Sequence, residues 1–395
     1  MTSEVVLTGG PGGDRAHGEE GRASRPRGFA VLLAVTFLAF VNYAALLSVV
    51  PLWAATGGAA SVAVGSTTGA MMAATVATQV AAPWLFKVIS LRAMVVVGAT
   101  LLGAPTPLYG LSADIAPITT ITVVRGIGFA LVVTAGATLV AELAADGKLS
   151  SSASLYGVAA ALPNLAALAG GIWIARNQGF PVVFWGSAAA CLAGAALALL
   201  LPRGHRGRFR LGSMADVRDI AVPIALFVLT AGSFGAATTF LPVAVRGAGT
   251  ASWALFAASA GLVSARLGAG AVGDRHGAGR LVPVSVLCCA AGLAVISLSL
   301  TGSHGLLFVG AALLGAGFGA CQNDSFVLSV QRLGDGRGGT ASTIWNIAYD
   351  GGVGTGAAAL GWFIGDAGYA GAFLTMAIVV GVLAILLSVA PARRR

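Results

Sequence analysis

The chain is built from long apolar runs separated by short polar stretches. A helix that crosses a membrane needs about 20 predominantly apolar residues, and the sequence contains twelve runs near that length. They lie at residues 29–50, 61–83, 93–111, 118–141, 152–174, 182–201, 220–243, 252–272, 281–300, 305–329, 340–362 and 371–390. The pattern predicts an all-α membrane protein with twelve transmembrane helices.

The polar segments divide these helices six and six. They predict a disordered tail at residues 1–28, an N-terminal six-helix bundle at 29–201 and a linker at 202–219. A C-terminal six-helix bundle follows at 220–390 and a basic tail at 391–395. The first tail lacks the succession of charged, apolar and small residues that marks a signal peptide.

The two predicted bundles repeat one another. Pro51 corresponds to Pro242, residues 126–130 (Gly-Ile-Gly-Phe-Ala) to residues 315–319 (Gly-Ala-Gly-Phe-Gly), and Ala153-Ser154 to Ala341-Ser342, at offsets of 191, 189 and 188 residues. A near-constant offset predicts two pseudo-symmetric halves related by an axis along the membrane normal. Transporters with this architecture bind substrate between the halves.

Composition and charge agree with residence in a membrane. The sequence is 57% hydrophobic and 9% charged, whereas soluble domains are about 45–50% apolar and about 25% charged. Of the 23 Lys and Arg residues, 20 fall on the side that holds both termini and the linker. The positive-inside rule therefore predicts a cytoplasmic location for both termini, and it explains the net charge of +9 without a nucleic-acid partner.

No constellation typical of an enzyme, a metal site or a cofactor site occurs. The four cysteines (Cys191, Cys288, Cys289, Cys321) lie within apolar runs, and the four histidines (His17, His205, His276, His304) lie in the tail or in predicted loops. We expect free thiols, no metal, no cofactor and no enzymatic activity. The absence of a phosphate-binding loop argues against ATP-driven transport by this chain.

The loop between the eighth and ninth predicted helices carries a distinctive motif. Residues 270–280 read Gly-Ala-Val-Gly-Asp-Arg-His-Gly-Ala-Gly-Arg, and they resemble the loop signature of the major facilitator superfamily. The resemblance implies a conformational latch built from Gly270, Asp274, Arg275, Gly277 and Arg280; the alternative is a plain topological anchor. The corresponding first-half loop, residues 83–92, has Pro83 and Lys87 where the motif requires Gly and Asp.

Arg125 is the only basic residue within a predicted helix once Arg266, near the end of the run 252–272, is counted with the loop that follows. A charge inside a bilayer costs at least about 2.5–3.5 kcal/mol and suggests a function. The segment Arg125-Gly126-x-Gly128-Phe129-Ala130 resembles the fourth-helix motif of proton-coupled members of the superfamily, which implies a role in proton transfer. The alternative is an arginine that extends its charge to the membrane surface.

Two acids also lie within predicted helices, Asp324 and Asp350. Either is a candidate proton carrier, because burial disfavours the charged carboxylate. Asp350 is the preferred one, with Asn346 one turn away; the alternative is a hydrogen bond between helices.

Asn42, Tyr43 and Asn346 are candidate substrate contacts, or else partners in hydrogen bonds between helices. The fifth predicted helix resembles the antiporter motif of the superfamily. Gly170 and Gly171 match it, Ala166-Ala167 replace its Gly-Pro, and Pro163 is a candidate site of helix flexibility.

The resemblance covers about residues 29–390 and implies a secondary transporter, nearest to the drug:proton antiporters. It implies export of a small amphiphile in exchange for protons, by a monomer in a bacterial cell membrane. Two alternatives stay open, a proton-linked importer or exchanger of the same fold and a membrane sensor that does not transport.

Overall fold

The structure is a computed structural model that describes residues 13–144, 149–202, 213–302, 305–334 and 337–389. Over these ranges the regular secondary structure is helical only. The helices are α1 (Gly13–Thr56), α2 (Ser61–Val88), α3 (Leu91–Gly103), a 3₁₀ helix (Thr106–Leu111), α4 (Ile115–Leu143), α5 (Leu149–Asn177), α6 (Phe180–Ala198), α7 (Met214–Asp219), α8 (Ala221–Ala244), α9 (Ala248–His276), α10 (Leu281–Thr301), α11 (Gly305–Leu333) and α12 (Gly338–Val389).

The predicted twelve-helix membrane fold is confirmed. Eleven of the described helices are long and apolar enough to cross a membrane, and α12 accounts for two crossings because its backbone breaks at Gly368. This residue has φ 65° and ψ 177°, a left-handed φ that glycine adopts without the steric cost of a Cβ. Residues 338–367 and 369–389 are therefore two separate arms. The chain is a multi-pass membrane protein.

Three predicted boundaries differ from the structure. α1 begins at Gly13, so residues 13–28 of the tail predicted as disordered are helical. Extending an existing membrane helix requires no new helix nucleus. The third predicted helix consists of α3 and the 3₁₀ helix together. Within the linker, α7 forms because Ser213 and Asp216 make a capping box.

The remaining domain boundaries stay predictions, because residues 1–12, 203–212 and 390–395 lie outside the described part of the chain. We call residues 29–201 the N-half and residues 220–389 the C-half.

The repeat seen in the sequence recurs in the helix packing. A Cβ on Gly126 of α4 would lie 2.4 Å from the carbonyl oxygen of Met71 in α2. A Cβ on Gly315 of α11 would lie 1.8 Å from the carbonyl oxygen of Ala258 in α9. The two glycines thus let equivalent helix pairs make backbone contact, and α2 of the N-half corresponds to α9 of the C-half.

The halves join at one end of the bundle. Gly28, where the apolar part of α1 begins, contacts Leu143 at the end of α4 and Pro202 just after α6. These residues therefore lie at the same end of the bundle, the end where the chain enters the linker. We call this the linker end and the opposite end the distal end. At the distal end, Arg176 of α5 donates hydrogen bonds to the carbonyl oxygens of Pro242, of Val245 and of Arg246 in the C-half.

The contact between the halves runs from the distal end towards the middle of the bundle. α2 packs against α12, α5 against α9 and α1 against α8, whereas the packing partners of α4 and α11 all lie in their own half. On the linker-end part of α5, Leu155, Val158 and Leu162 are each more than half exposed. The C-half therefore does not cover these residues.

Candidate functional site

Arg125 lies in a cage of neutral polar groups within the N-half. Its side chain is 1% exposed. Its Nη2 donates to Asn42 Oδ1 at 3.0 Å, its Nη1 to Tyr109 Oη at 3.2 Å and its Nε to the carbonyl oxygen of Leu102 at 3.4 Å. The guanidinium also lies 5.6 Å from the centre of the Tyr109 ring, a distance at which the ring face attracts a cation.

This cage is itself held by further hydrogen bonds. Asn42 Nδ2 donates to Thr106 Oγ1 at 3.3 Å, and the Tyr109 hydroxyl shares a hydrogen bond of 2.7 Å with Thr122. Arg125 stands ten residues after the first residue of α4, or about 15 Å along the helix. An arginine so deep and so enclosed does not extend to the membrane surface, and Asn42 acts here as a partner of Arg125 between two helices.

Asp350 joins the two halves near the middle of the membrane. It is 2% exposed, and its Oδ2 accepts a hydrogen bond of 2.7 Å from Nε2 of Gln79. Gln79 belongs to α2 of the N-half and is 3% exposed. The other two oxygens of this pair, Asp350 Oδ1 and Gln79 Oε1, are buried without a hydrogen-bond partner among the described residues.

Tyr43 lies between Arg125 and Asp350. Its ring stacks on Phe129 with centroids 4.1 Å apart, and its buried hydroxyl lies close to that of Tyr349. The hydroxyl is within electrostatic range of Tyr349, Asp350 and Arg125. The two charged residues singled out in the sequence are thus linked through one buried tyrosine.

Asp324 has a structural position that disfavours the predicted role in proton coupling. Its Oδ1 accepts from the backbone N–H of Gly279 at 2.8 Å, and its Oδ2 accepts from those of Leu281 at 2.8 Å and Val282 at 3.1 Å. A carboxylate in this position supplies acceptors to N–H groups that have no partner within the first turn of the helix. Asp324 therefore anchors the start of α10.

The residues of the predicted latch lie at the linker end of α9. Asp274, Arg275 and Arg280 are exposed, and none of them forms an ion pair with a described residue. Gly277 has φ 85°, which agrees with the predicted tight turn, and a Cβ on Gly270 would meet Asn323 of α11 at 3.9 Å. The latch role of these residues stays a prediction.

The other predicted positions lie apart from the Arg125 cage. Asn346 Nδ2 donates to the carbonyl oxygen of Ser342 at 2.7 Å, so it bonds within α12. Pro163 lies inside an uninterrupted α5. Gly171 packs against Ala45 of α1, whereas a Cβ on Gly170 would meet no atom within 4 Å.

Arg266 was missed as a site residue, and the prediction that Arg125 is the only basic residue within a helix is wrong. Arg266 lies in α9, ten residues or about 15 Å before the helix ends. Its Nη1 donates to Oε1 of Gln322 at 2.9 Å. Although Arg266 falls within the predicted run 252–272, the count of cytoplasmic charges included it with the loop that follows.

Gln79 was missed for a different reason. A single glutamine in a helix carries no signal of its own, and its partner Asp350 is 271 positions away. No group of three or more metal-ligating side chains occurs among the described residues.

Comparison with solved structures identifies the fold. A POT family transporter in complex with a thioalcohol-conjugated peptide aligns with TM-score 0.72 and 12% identity, over 92% of this chain and 96% of that one. The nucleoside transporter NupG aligns with TM-score 0.71 and 12% identity, over 91% of this chain and 97% of that one. A bacterial homolog of the human lysosomal transporter Spinster, in an inward-facing and occupied conformation, aligns with TM-score 0.72 and 14% identity, over 92% of this chain and 97% of that one.

The chain therefore has the major facilitator fold. No protein-family model matches the sequence, and no curated relative matches it either.

Proposed function

We propose that this chain is a proton-coupled secondary transporter that works by alternating access. The observation that carries the proposal is the pair formed by Asp350 and Gln79. A carboxyl group in the middle of a membrane protein, shared between two halves that must move apart, is suited to couple a proton to that movement.

The two unpaired oxygens of this pair point to the step that a proton controls. One hydrogen bond joins the amide to the carboxyl, while Asp350 Oδ1 and Gln79 Oε1 lack partners among the described residues. A single proton on Oδ1 would let the acid donate to Oε1 and satisfy both oxygens. Buried polar groups left unpaired cost about 1–3 kcal/mol each. Protonation of Asp350 therefore tightens the contact between the halves, and deprotonation loosens it.

Arg125 supplies a fixed positive charge beside this switch. Because Tyr43 is within electrostatic range of both Arg125 and Asp350, charging of Asp350 is felt at the Arg125 cage. Protons are the coupling ion in this proposal.

The proposed direction is export of a small amphiphile across a bacterial cell membrane, with both termini in the cytoplasm and the chain acting as a monomer. The direction rests on Gly170-Gly171 in α5. One observation favours import or exchange instead, since Ala166-Ala167 replace the Gly-Pro of the antiporter motif.

Everted membrane vesicles separate the candidates. We would energise vesicles containing the chain with an inward-acid pH gradient and screen a panel of radiolabelled amphiphiles. Gradient-dependent uptake supports export, and gradient-dependent loss of preloaded compound supports import. Binding without flux contradicts transport and favours a sensor.

Asp350→Asn tests the coupling role. Asparagine still accepts from Gln79 and can also donate to it, so the contact is retained while titration is lost. We expect accumulation against a gradient to disappear while downhill exchange persists, whereas Asp366→Asn, on an exposed position of the same helix, should match wild type. Unchanged pH-dependent accumulation in Asp350→Asn would refute the coupling role and leave Asp350 as a helix–helix contact.

A further inference from the structure

We propose that Arg266 binds a carboxylate group of the transported compound, so that the substrate class is small amphiphilic acids. This inference rests on the proposed function, because it assigns the substrate class of the same transport path.

Arg266 lies where a charge is costly and is only partly compensated. It is about 15 Å from the linker end of α9 and half-buried. Gln322, its hydrogen-bond partner, is neutral and 9% exposed. A guanidinium has five N–H donors in a planar fork, and one contact to an amide oxygen leaves most of that fork available.

The described part of the chain offers Arg266 no acid partner. Among the described acids, Asp324 and Asp350 are the two at comparable depth. Asp324 is committed to three backbone N–H groups, and Asp350 to Gln79 in the other half. Buried charges in proteins are normally paired. In this proposal, the anion that pairs with Arg266 arrives as part of the substrate.

The internal repeat shows how Arg266 differs from the equivalent residue of the N-half. Met71 and Ala258 occupy equivalent positions 187 residues apart, and the same offset relates Gln79 to Arg266. The offset of 188 that relates Ala153 to Ala341 relates Leu162 to Asp350. The pair of Gln79 in α2 and Asp350 in α12 is therefore equivalent to Arg266 in α9 and Leu162 in α5. Where one interface has two polar side chains, the other has an arginine and a leucine.

This difference has a consequence for closure of the linker end. In this proposal, closure of the linker end brings Arg266 of α9 towards Leu162 of α5, which is 52% exposed here. An unpaired guanidinium buried against an apolar side chain loses its solvation without compensation. A carboxylate bound to the fork neutralises the charge and removes this obstacle. Substrate binding would in this way permit the closure that alternating access requires.

A pair of flat aromatic side chains lies in the same region as the arginine. Tyr349 is within electrostatic range of Arg266 and stacks with Trp345 at a centroid distance of 6.1 Å. Both rings are half-buried. A cation near a cluster of stacked, partly accessible rings suits a compound with an anionic head and an apolar body that packs against the rings.

Thermal unfolding of the purified full chain in detergent tests the substrate class. The probes are three matched triplets of acid, amide and amine: decanoate, decanamide and decylamine; 2-naphthoate, 2-naphthamide and 2-naphthylmethylamine; indole-3-acetate, indole-3-acetamide and tryptamine. We expect concentration-dependent stabilisation by acids over their amides and amines. Stabilisation that does not favour the acids, or none by any probe, overturns the proposal.

Variants assign the effect to the residue. Arg266→Gln retains a hydrogen bond to Gln322 and should weaken acid binding about tenfold or more, as for loss of a charge-assisted hydrogen bond. Arg266→Lys keeps the charge without the fork and should fall between the two. Arg218→Gln, an exposed arginine of α7, should bind acids as wild type does. Equal acid affinity in wild type and Arg266→Gln contradicts the assignment.

The outcomes are separable from those of the transport proposal. Acid binding that depends on Arg266 but gives no flux in vesicles refutes transport and leaves this site intact. Flux of neutral or cationic compounds that is unaffected by Arg266→Gln refutes this site and leaves transport intact.

Discussion

The two arginines at mid-membrane depth, Arg125 in the N-half and Arg266 in the C-half, differ in how their charge is accommodated. Both lie about 15 Å from one end of their helix. Three nitrogens of Arg125 each have a neutral acceptor and the side chain is fully enclosed. Arg266 has a single neutral acceptor and remains partly accessible.

An arginine whose donors all have partners and one whose donors are mostly free are suited to different roles. The position equivalent to Arg125 in the C-half is Leu314, and the position equivalent to Arg266 in the N-half is Gln79. Each half thus carries one arginine that the other half lacks. We interpret Arg125 as a fixed charge that organises the N-half, and Arg266 as a charge left for a ligand.

The largest effect is expected from Arg125→Leu, which installs the residue found at the equivalent position of the C-half. It leaves acceptors on Asn42, Tyr109 and Leu102 buried without their donor, at about 1–3 kcal/mol each. We expect several kcal/mol of destabilisation, visible as a large drop in the melting temperature in detergent. Arg266→Gln should stay near wild type in the same assay. Equal stability of Arg125→Leu and wild type would show that the cage is not structural.

The next largest loss of stability is expected when the equivalent glycines Gly126 and Gly315 are changed to alanine. A Cβ on Gly315 meets the Ala258 carbonyl oxygen at 1.8 Å, and one on Gly126 meets that of Met71 at 2.4 Å. Overpacking of this kind costs about 1–3 kcal/mol. Gly315→Ala should therefore lower the melting temperature more than Gly126→Ala does. Gly273→Ala serves as the control, because its Cβ would meet nothing within 4 Å; the reverse order of the two repeat glycines would contradict the packing.

A smaller effect is expected when the C-half receives the acid that it lacks. Leu162→Asp would place a carboxylate opposite Arg266, in the position equivalent to Asp350. It should compete with acidic ligands when the linker end closes, and we expect severalfold weaker binding of 2-naphthoate in the thermal-unfolding titration. Leu162→Asn, which has similar size without the charge, is the matched control. Undiminished affinity in Leu162→Asp would break the proposed equivalence of the two interfaces.

The smallest effect lies outside the membrane, where α7 is tied to the start of α12. Asp216 Oδ1 accepts from Arg337 Nη1 at 2.8 Å. The backbone N–H of Ser213, then its hydroxyl and then Arg337 hold the pKa of Asp216 below its usual value. Because the folded-state pKa is lowered, this contribution to stability is present at neutral pH and is lost as the pH falls through that pKa.

Exposed ion pairs contribute little to stability, so Asp216→Asn should barely change the melting temperature at neutral pH. The difference from wild type should shrink further in acid. A difference in melting temperature between Asp216→Asn and wild type that grows as the pH falls would contradict a lowered pKa for Asp216.

Much of the fold could be predicted from the sequence, whereas the site could be predicted only in part. Arg125 and Asp350 stand out in the sequence because charges are rare within apolar runs, and both proved to be buried. Asp324 stands out equally, yet its partners are three backbone N–H groups of another helix, which no residue pattern reveals. Arg266 was counted with a loop because it begins the motif that joins two predicted helices, although its apolar run extends to residue 272.

The sequence by itself determined the twelve crossings and the duplicated halves. It could do so because the length of an apolar run and the spacing of a repeat are local properties of the chain. Only the tertiary structure decided that Gln79 meets Asp350 at 2.7 Å across 271 positions, and that Arg125 is fully enclosed while Arg266 is not. Hydrogen bonds between helices depend on their relative rotation and depth, and these are set by the packing of all the helices together.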